Sequence, residues 1–279
     1  MKLIDKKSYP WLVVALLWIV ALLNYMDRQM LSTMQEAMKA DIEELNQAEA
    51  FGALMAVFLW IYGLVSPFAG LVADRVSRKW LVIGSLFVWS AVTLAMGFAT
   101  SFDQLYYLRG IMGVSEALYI PSALSLLADW HEGKSRSLAI GIHMTGIYVG
   151  QAVGGFGAVM AAMLSWKTTF HWFGIIGIAY SLVLMALLHE KAGHAAKPST
   201  QGAGGLLQSF GVVLSNWAFW IILFFFAVPS LPGWATKNWL PTLFANNLGI
   251  PMESAGPLST ITIAASSFIG VIFGGYLSD

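Results

Sequence analysis

The chain has 279 residues, of which 58% are hydrophobic and 11% are charged, and its formal net charge at pH 7 is zero. Soluble domains carry roughly 25% charged residues, so this composition excludes an ordinary soluble protein, and the neutral balance provides no basic field for a nucleic-acid partner. Cys is absent, which excludes disulfides and thiolate metal sites.

Eight apolar runs are long enough to be membrane-spanning helices, which need about 20 mostly apolar residues. In chain order they are Trp11–Leu31, Ala50–Ala73, Trp80–Ala99, Gln104–Ala128, Ser137–Leu164, Thr168–Leu188, Ser215–Leu240 and Ala255–Leu277. Strands of membrane barrels are about 10 residues long and alternate apolar with polar residues, so these longer runs predict helices. The first run leads into further apolar runs and not into a soluble domain, which is unlike a cleaved signal peptide.

The longest break between runs extends from Glu190 to Gly205 and has the composition of a linker. It divides the chain into a six-helix unit (1–189), a linker (190–212) and two further helices (213–279). The second helix ends in GLVAD at residues 70–74, and the eighth ends in GGYLSD at residues 274–279. This repeat predicts two related halves, of which the second is expected to be truncated after its second helix.

Lys and Arg are concentrated on one side of the predicted bundle. When the loops are numbered alternately, one side carries ten of these residues, whereas the other carries Lys39 and Lys167, with Lys237 near a helix end. Loops rich in Lys and Arg stay in the cytoplasm. The N-terminus and the linker are therefore predicted to be cytoplasmic, in a chain that crosses the cell's inner membrane several times.

The stretch from Gly70 to Lys79, GLVADRVSRK, resembles the cytoplasmic loop motif G-x-x-x-D-R-x-G-R-K of the major facilitator superfamily, with Ser77 in place of a glycine. Residues 24–28, NYMDR, and residues 109–121, RGIMGVSEALYIP, are similar to patterns of its anion–cation symporter branch, which includes hexuronate and sugar-acid permeases. The resemblance implies an all-α bundle with about eight of twelve helices present. It also implies proton symport, by alternating access, of a small organic anion such as a hexuronate or aldonate.

Four ionisable residues lie inside the predicted spans: Asp27, Arg28, Arg109 and Glu116. Each costs at least about 2.5–3.5 kcal/mol at the middle of a membrane, and such residues usually face a cavity or a partner. Glu116 follows Arg109 by two helical turns on the same face, whereas the adjacent Asp27 and Arg28 diverge by about 100°. Asp27 and Arg28 are therefore expected to have different neighbours, and static ion pairs between helices are the alternative to a functional role.

The chemistry of these four residues suits anion binding and proton exchange. A guanidinium matches a carboxylate with two parallel hydrogen bonds, so Arg28 is predicted to anchor the substrate. A carboxyl in a cavity of low dielectric constant can hold a proton near neutral pH, and a neighbouring Arg opposes this. Asp27 and Glu116, with Arg109 as the neighbouring cation, are therefore predicted to couple protons, and the resemblance implies the same.

Weaker candidates lie on the first, second and fifth predicted helices. Tyr25, Tyr62, Tyr148 and Gln151 are candidates for further substrate contacts, with ordinary helix packing as the alternative. The fifth predicted helix also carries Gly146, Gly150 and Gly154 at four-residue spacing, a stripe that allows another helix to approach closely. We interpret the stripe as packing between the two halves.

The sequence contains no nucleotide motif of the type G-x-x-x-x-G-K-[ST] and no H-E-x-x-H or G-x-S-x-G motif. We therefore expect no enzyme activity, no cofactor and no metal site, and an ion gradient as the energy source. The expected partners are a small anionic substrate, protons and the lipid bilayer, and the chain is expected to be a monomer. The alternatives are a transporter of a neutral sugar, phosphate or dicarboxylate, and a membrane fragment that does not transport.

The motif residues Gly70, Asp74, Arg75, Arg78 and Lys79 are predicted to form a cytoplasmic gate, as the resemblance implies. The last four carry charges of both signs, and charge that only sets topology is the alternative. In a gate, Asp74 pairs with nearby basic groups and holds the outward-open state. Asp74→Asn is therefore expected to increase the inward-open population, measured by labelling single cysteines placed on the cytoplasmic side of this cysteine-free chain. Labelling rates equal to those of the parent would contradict the gate.

Overall fold

The computed structural model describes residues 7–191 and 211–278, and no strand occurs in these ranges. The helices, in chain order, are α1 Tyr9–Thr33, α2 Gln35–Lys39, α3 Ala48–Arg75, α4 Arg78–Met96, α5 Phe102–Ala117, α6 Tyr119–Trp130, α7 Lys134–Gly154, α8 Gly157–Leu164, α9 Trp166–Leu187, α10 Trp217–Leu248 and α11 Met252–Ser278. One turn of 3-10 helix, Glu43–Asn46, precedes α3. The predicted all-α fold class is confirmed.

Six segments of the described chain are long and apolar enough to cross a membrane, and a seventh results when α7 and α8, which meet at a bend of 45°, are counted as one span. Helices α5 and α6 together form one of the six, Phe102–Trp130. The seven spans coincide with the first seven predicted runs to within a few residues at most ends. The eighth run, Ala255–Leu277, corresponds to helix α11, and the side chains near its end lie outside the described part.

The first six spans pack as pairs around one apolar core. Helix α1 packs along α7, α4 along α9, and α3 along α5. The largest buried side chains of the core include Trp89, Tyr119 and Phe51. Helices α10 and α11 pack against each other, and α11 also lies on α7 and α8. The predicted linker, 190–212, falls almost wholly outside the described residues, so the division into two units stays a prediction.

The glycine stripe of α7 brings this helix into close contact with α1. A Cβ atom at Gly146 would lie 2.6 Å from the backbone oxygen of Trp18, and one at Gly154 would lie 2.8 Å from that of Met26. The predicted close packing is confirmed, but the predicted partner is wrong, because the stripe faces a helix of the same six-helix unit. The next residue, Gly155, lies against Thr260 of α11. Residue spacing defines a helix face, but it does not identify the neighbour on that face.

The contact between α7 and α1 leads to a stability prediction. Gly146→Ala introduces a methyl group against the α1 backbone and is expected to destabilise the protein by about 1–3 kcal/mol. Gly141→Ala in the same helix is the matched control, because a Cβ atom there meets nothing within 4 Å. The measurement is thermal unfolding of both variants in detergent. Equal unfolding temperatures for the two variants would contradict the packing described.

Candidate functional site

A buried ion pair between α1 and α5 forms the centre of the candidate site. The Nε atom of Arg28 donates to Oε2 of Glu116 at 2.6 Å. The Glu116 side chain is fully buried, whereas that of Arg28 is 20% exposed. Two atoms of this pair, Arg28 Nη2 and Glu116 Oε1, are buried with no hydrogen-bond partner among the described residues. The pair therefore keeps one strong donor and one strong acceptor available.

Aromatic rings surround the Arg28 guanidinium. Its Cζ atom lies 4.8 Å from the ring centres of Tyr25 and Phe58 and 4.9 Å from that of Tyr62. A cation at this distance over a ring is attracted to it, more strongly where water is excluded. The structure thus brings the predicted Tyr25 and Tyr62 to Arg28. The sequence analysis missed Phe58, which lies one helical turn before Tyr62 on α3, so helical spacing could have indicated it.

Arg109 also lies over the Phe58 ring. Its Cζ atom lies 4.5 Å from the ring centre, and its Nη1 atom donates to Sδ of Met112 at 3.2 Å. The residue is 2% exposed, and its Nε atom has no hydrogen-bond partner within the described ranges. Phe58 therefore contacts both guanidinium groups of the site. Arg109 and Glu116 share the buried face of α5, as the seven-residue spacing predicted, but no ion pair of the described chain joins them.

Close approach of α5 to α3 creates this arrangement. Gly113 lies midway between Arg109 and Glu116, and a Cβ atom there would lie only 2.8 Å from the backbone oxygen of Phe58. Without a side chain at this position, the α5 backbone lies directly against the turn of α3 that carries Phe58 and Tyr62. Both charged residues of α5 consequently reach the aromatic face of α3.

Asp27 faces a different neighbour. Its Oδ2 atom accepts a hydrogen bond from Oγ1 of Thr93 on α4 at 3.2 Å, and the residue is 8% exposed. Arg28 instead contacts α3 and α5, so the expectation that the two adjacent residues have different neighbours is confirmed. The sequence analysis missed Thr93, whose only signal is a hydroxyl within an otherwise apolar run.

Two of the candidate residues lie on α7, away from the ion pair. Gln151 is 8% exposed, with its Oε1 atom buried and unpartnered among the described residues. Tyr148 is half-buried. In the part of the chain that the structure describes, no recorded hydrogen bond or ring contact joins either residue to Arg28 or Glu116. Their role as substrate contacts stays a prediction.

The loop between α3 and α4 is bound to two other helices. Arg78 forms an ion pair with Asp129 of α6. The Oε1 atom of Glu190, just after α9, accepts from the Ser77 hydroxyl at 2.9 Å and from the Lys79 backbone N–H at 3.0 Å. The Ser77 hydroxyl also accepts from a backbone N–H in the first turn of α4. The serine that departs from the motif thus caps α4, and Asp129 and Glu190 are partners that the sequence analysis missed.

Three further residues of the predicted gate give less information. Arg75 is exposed, and a Cβ atom at Gly70 meets nothing within 4 Å. The side chain of Asp74 lies outside what the structure describes. The gating role of this motif therefore stays a prediction.

The family profile described as Major Facilitator Superfamily matches residues 17–279. The D-galactonate transporter of Escherichia coli O6:H1 is 27% identical over 96% of this chain and 67% of its own length. The hexuronate transporter of Bacillus subtilis is 25% identical over 96% of this chain and 64% of its own length. The chain thus spans about two-thirds of these relatives.

A solved structure has the same fold. It is the crystal structure of a bacterial homologue of the human lysosomal transporter Spinster in an inward-facing, unoccupied conformation. Its TM-score is 0.79 at 22% identity, and the match covers 98% of this chain and 63% of that one. At this identity the likeness concerns the fold.

The pair of Arg78 and Asp129 leads to a second stability prediction. Both side chains are largely buried, with 20% and 14% exposed. Asp129→Asn removes the counter-charge and is expected to destabilise the protein by about 1–3 kcal/mol, because a buried donor loses its charged acceptor. Glu36→Gln is the control, since Glu36 pairs with Lys39 in an exposed position and such pairs contribute about 0–1 kcal/mol. Equal loss of thermal stability in both variants would contradict the prediction.

Proposed function

The chain belongs to the major facilitator superfamily, and we propose that it is a secondary active transporter that takes up a small sugar acid, of the hexuronate or aldonate class, together with protons. One observation carries the proposal: the buried pair of Arg28 and Glu116 keeps Arg28 Nη2 and Glu116 Oε1 free of partners among the described residues. The printed names of the relatives, D-galactonate and hexuronate transporters, support the same substrate class.

Arg28 is the proposed anchor for the substrate carboxylate. Its guanidinium can form two parallel hydrogen bonds with a carboxylate once Glu116 releases it. The rings of Tyr25 and Tyr62 lie against the same guanidinium, and their hydroxyls are suitable partners for the hydroxyls of a sugar acid. Tyr148 and Gln151 are proposed to join the site when the two units close around the substrate.

Charge balance links substrate binding to protonation. Arg28 and Arg109 carry two positive charges, and Asp27 and Glu116 carry two negative charges when ionised, so the site is neutral. One proton on either carboxyl leaves a single positive charge, which a monovalent anion neutralises. Since uncompensated charge in a dry site is costly, the anion binds best when a proton is also bound. This coupling is the proposed basis of symport.

Contacts between the two units are consistent with alternating access. At the end of the bundle where α1 terminates, Thr242 donates to Gln35 at 3.1 Å, and the rings of Trp239 and Phe51 lie 5.6 Å apart. With the N-terminus in the cytoplasm, these contacts close the outer side in the proposed arrangement. Rocking of the units, proposed as 1–189 and 213–279, would then open the other side.

The charge distribution and the relatives' names support the remaining parts of the proposal. We place the N-terminus and the linker 190–212 in the cytoplasm of a cell whose inner membrane holds the chain, on the distribution of Lys and Arg. The relatives are named as transporters and not as enzymes, and we propose a monomer without enzyme activity.

The first test is uptake of radiolabelled glucuronate, galacturonate and galactonate into proteoliposomes, with and without an inward proton gradient. Gradient-driven uptake of at least one compound is expected. Equal uptake with and without the proton gradient would refute proton coupling. No uptake of any of the three by folded protein would refute the sugar-acid assignment, and phosphate, dicarboxylates and neutral sugars would be tested next.

Substitutions of the ion pair test whether Arg28 anchors the substrate and whether Glu116 is needed for proton-driven uptake. Arg28→Ala and Glu116→Gln are expected to abolish gradient-driven uptake. Arg28→Lys keeps the charge but loses the planar pair of donors, so its KM is expected to rise about ten- to a hundred-fold, given that a hydrogen bond to a charged group contributes about 1.5–3 kcal/mol. Lys39→Gln, which removes a surface charge, is the control. Near-normal uptake by Arg28→Lys would refute the anchor role.

A further inference from the structure

Thr93 is a buried polar residue next to the proposed proton site. It is 1% exposed and lies in the interior of the six-helix unit. Its Oγ1 atom is 3.2 Å from Asp27 Oδ2 and 3.0 Å from the backbone oxygen of Trp89, one turn earlier in α4. Within the described ranges, this is the only recorded hydrogen bond to the Asp27 carboxylate.

The two acceptors compete for one hydrogen atom. A Thr hydroxyl has a single O–H donor and two lone pairs, so it cannot donate to Asp27 and to Trp89 at the same time. An ionised carboxylate is the stronger acceptor, and the hydroxyl then points to Asp27. A protonated carboxyl has its own O–H, which can donate to Thr93 Oγ1 while the Thr93 hydrogen turns to the Trp89 oxygen.

We propose that Thr93 is a positioning residue that holds the Asp27 carboxyl in one place in both protonation states, by reversing the direction of the hydrogen bond between them. The Asp27 carboxyl gains and loses the proton, and Thr93 keeps its own hydrogen throughout. The described charged groups that act on Asp27 are Glu116 and Arg109, both on α5, and neither hydrogen-bonds to it. The inference rests on the proposed role of Asp27 in proton coupling.

As a consequence, the Asp27 carboxyl does not have to move when it binds a proton. Buried polar groups are costly without a partner, and a group that changes its donors and acceptors on protonation would otherwise lose its partner in one state. Because the hydroxyl can both donate and accept, Asp27 Oδ2 keeps a partner in each state. A Val side chain at position 93 has the same shape as Thr but can neither donate nor accept a hydrogen bond.

The test is infrared difference spectroscopy of the reconstituted protein during a pH titration. The C=O stretch of protonated Asp27 is identified as the band that Asp27→Asn removes. In Thr93→Val this band is expected at higher wavenumber than in the parent, because the carboxyl has lost its hydrogen-bond partner. Thr93→Ser, which retains the hydroxyl, is expected to keep the parent position.

Thr169→Val is the matched control. Thr169 is fully buried, and its hydroxyl donates to the backbone oxygen four residues earlier, that of Ser165 just before α9. The Thr93 hydroxyl has the same bond to Trp89 in α4, but Thr169 has no recorded contact with Asp27. In Thr169→Val the Asp27 band is expected at the same wavenumber as in the parent. Three results would overturn the inference. The band could keep the parent position in Thr93→Val, or it could shift equally in Thr169→Val or in Thr93→Ser. Alternatively, Asp27→Asn could remove no band at all.

Uptake measurements separate this inference from the proposed function. In Thr93→Val the pH of half-maximal uptake is expected to move to higher pH, because the ionised carboxylate loses its donor, whereas Thr93→Ser and Thr169→Val keep the parent profile. If the parent takes up no substrate but the band moves as expected, the proposed function fails and the positioning role stands. If the parent shows proton-driven uptake but Thr93→Val has the parent band and pH profile, the positioning role fails alone.

Discussion

The arrangement of the site depends on the cost of burying charge. Four ionisable side chains lie in the spans of this protein, and removing them from water is favourable only where each finds a counter-charge, a ring or a hydrogen bond. Arg28 has Glu116 and three aromatic rings, Arg109 has one of those rings, and Asp27 has the Thr93 hydroxyl. The requirement is only partly met at the centre, because Arg28 Nη2 and Glu116 Oε1 have no hydrogen-bond partner among the described residues. These two atoms are the ones that the proposed function assigns to substrate and proton.

Backbone contacts hold these charges in position. Glycine allows α5 to approach α3 at Gly113 and α7 to approach α1 at Gly146 and Gly154. Close backbone approach is an important source of helix association where lipid removes the hydrophobic driving force. The helices that carry the ion pair are thus positioned mainly by residues that have no side chains. The charged residues of the site and the glycines that allow close helix packing are therefore different residues.

The motif GLVADRVSRK, residues 70–79, connects several helices. Its Arg78 reaches α6 and its Ser77 reaches the end of α9, so one loop connects three helices of the six-helix unit. Ser77 replaces the glycine of the motif and supplies a hydroxyl that caps α4 and binds Glu190. This arrangement couples the start of the linker to the loop that the sequence predicts as the gate. A departure from the motif thus has a structural role of its own.

The amino-acid sequence by itself determined that the protein is a bundle of spanning helices, where those helices lie, and which four charged residues lie inside them, because apolar run length and charge within such a run are local properties of the chain. It also indicated that Asp27 and Arg28 diverge, since helical geometry requires it. Only the tertiary structure decided which residues meet. Three features depend on which helices are adjacent: the pairing of Arg28 with Glu116, the contact of Phe58 with two guanidinium groups, and the neighbour of the α7 glycines. Helix adjacency in turn depends on contacts between residues distant in sequence.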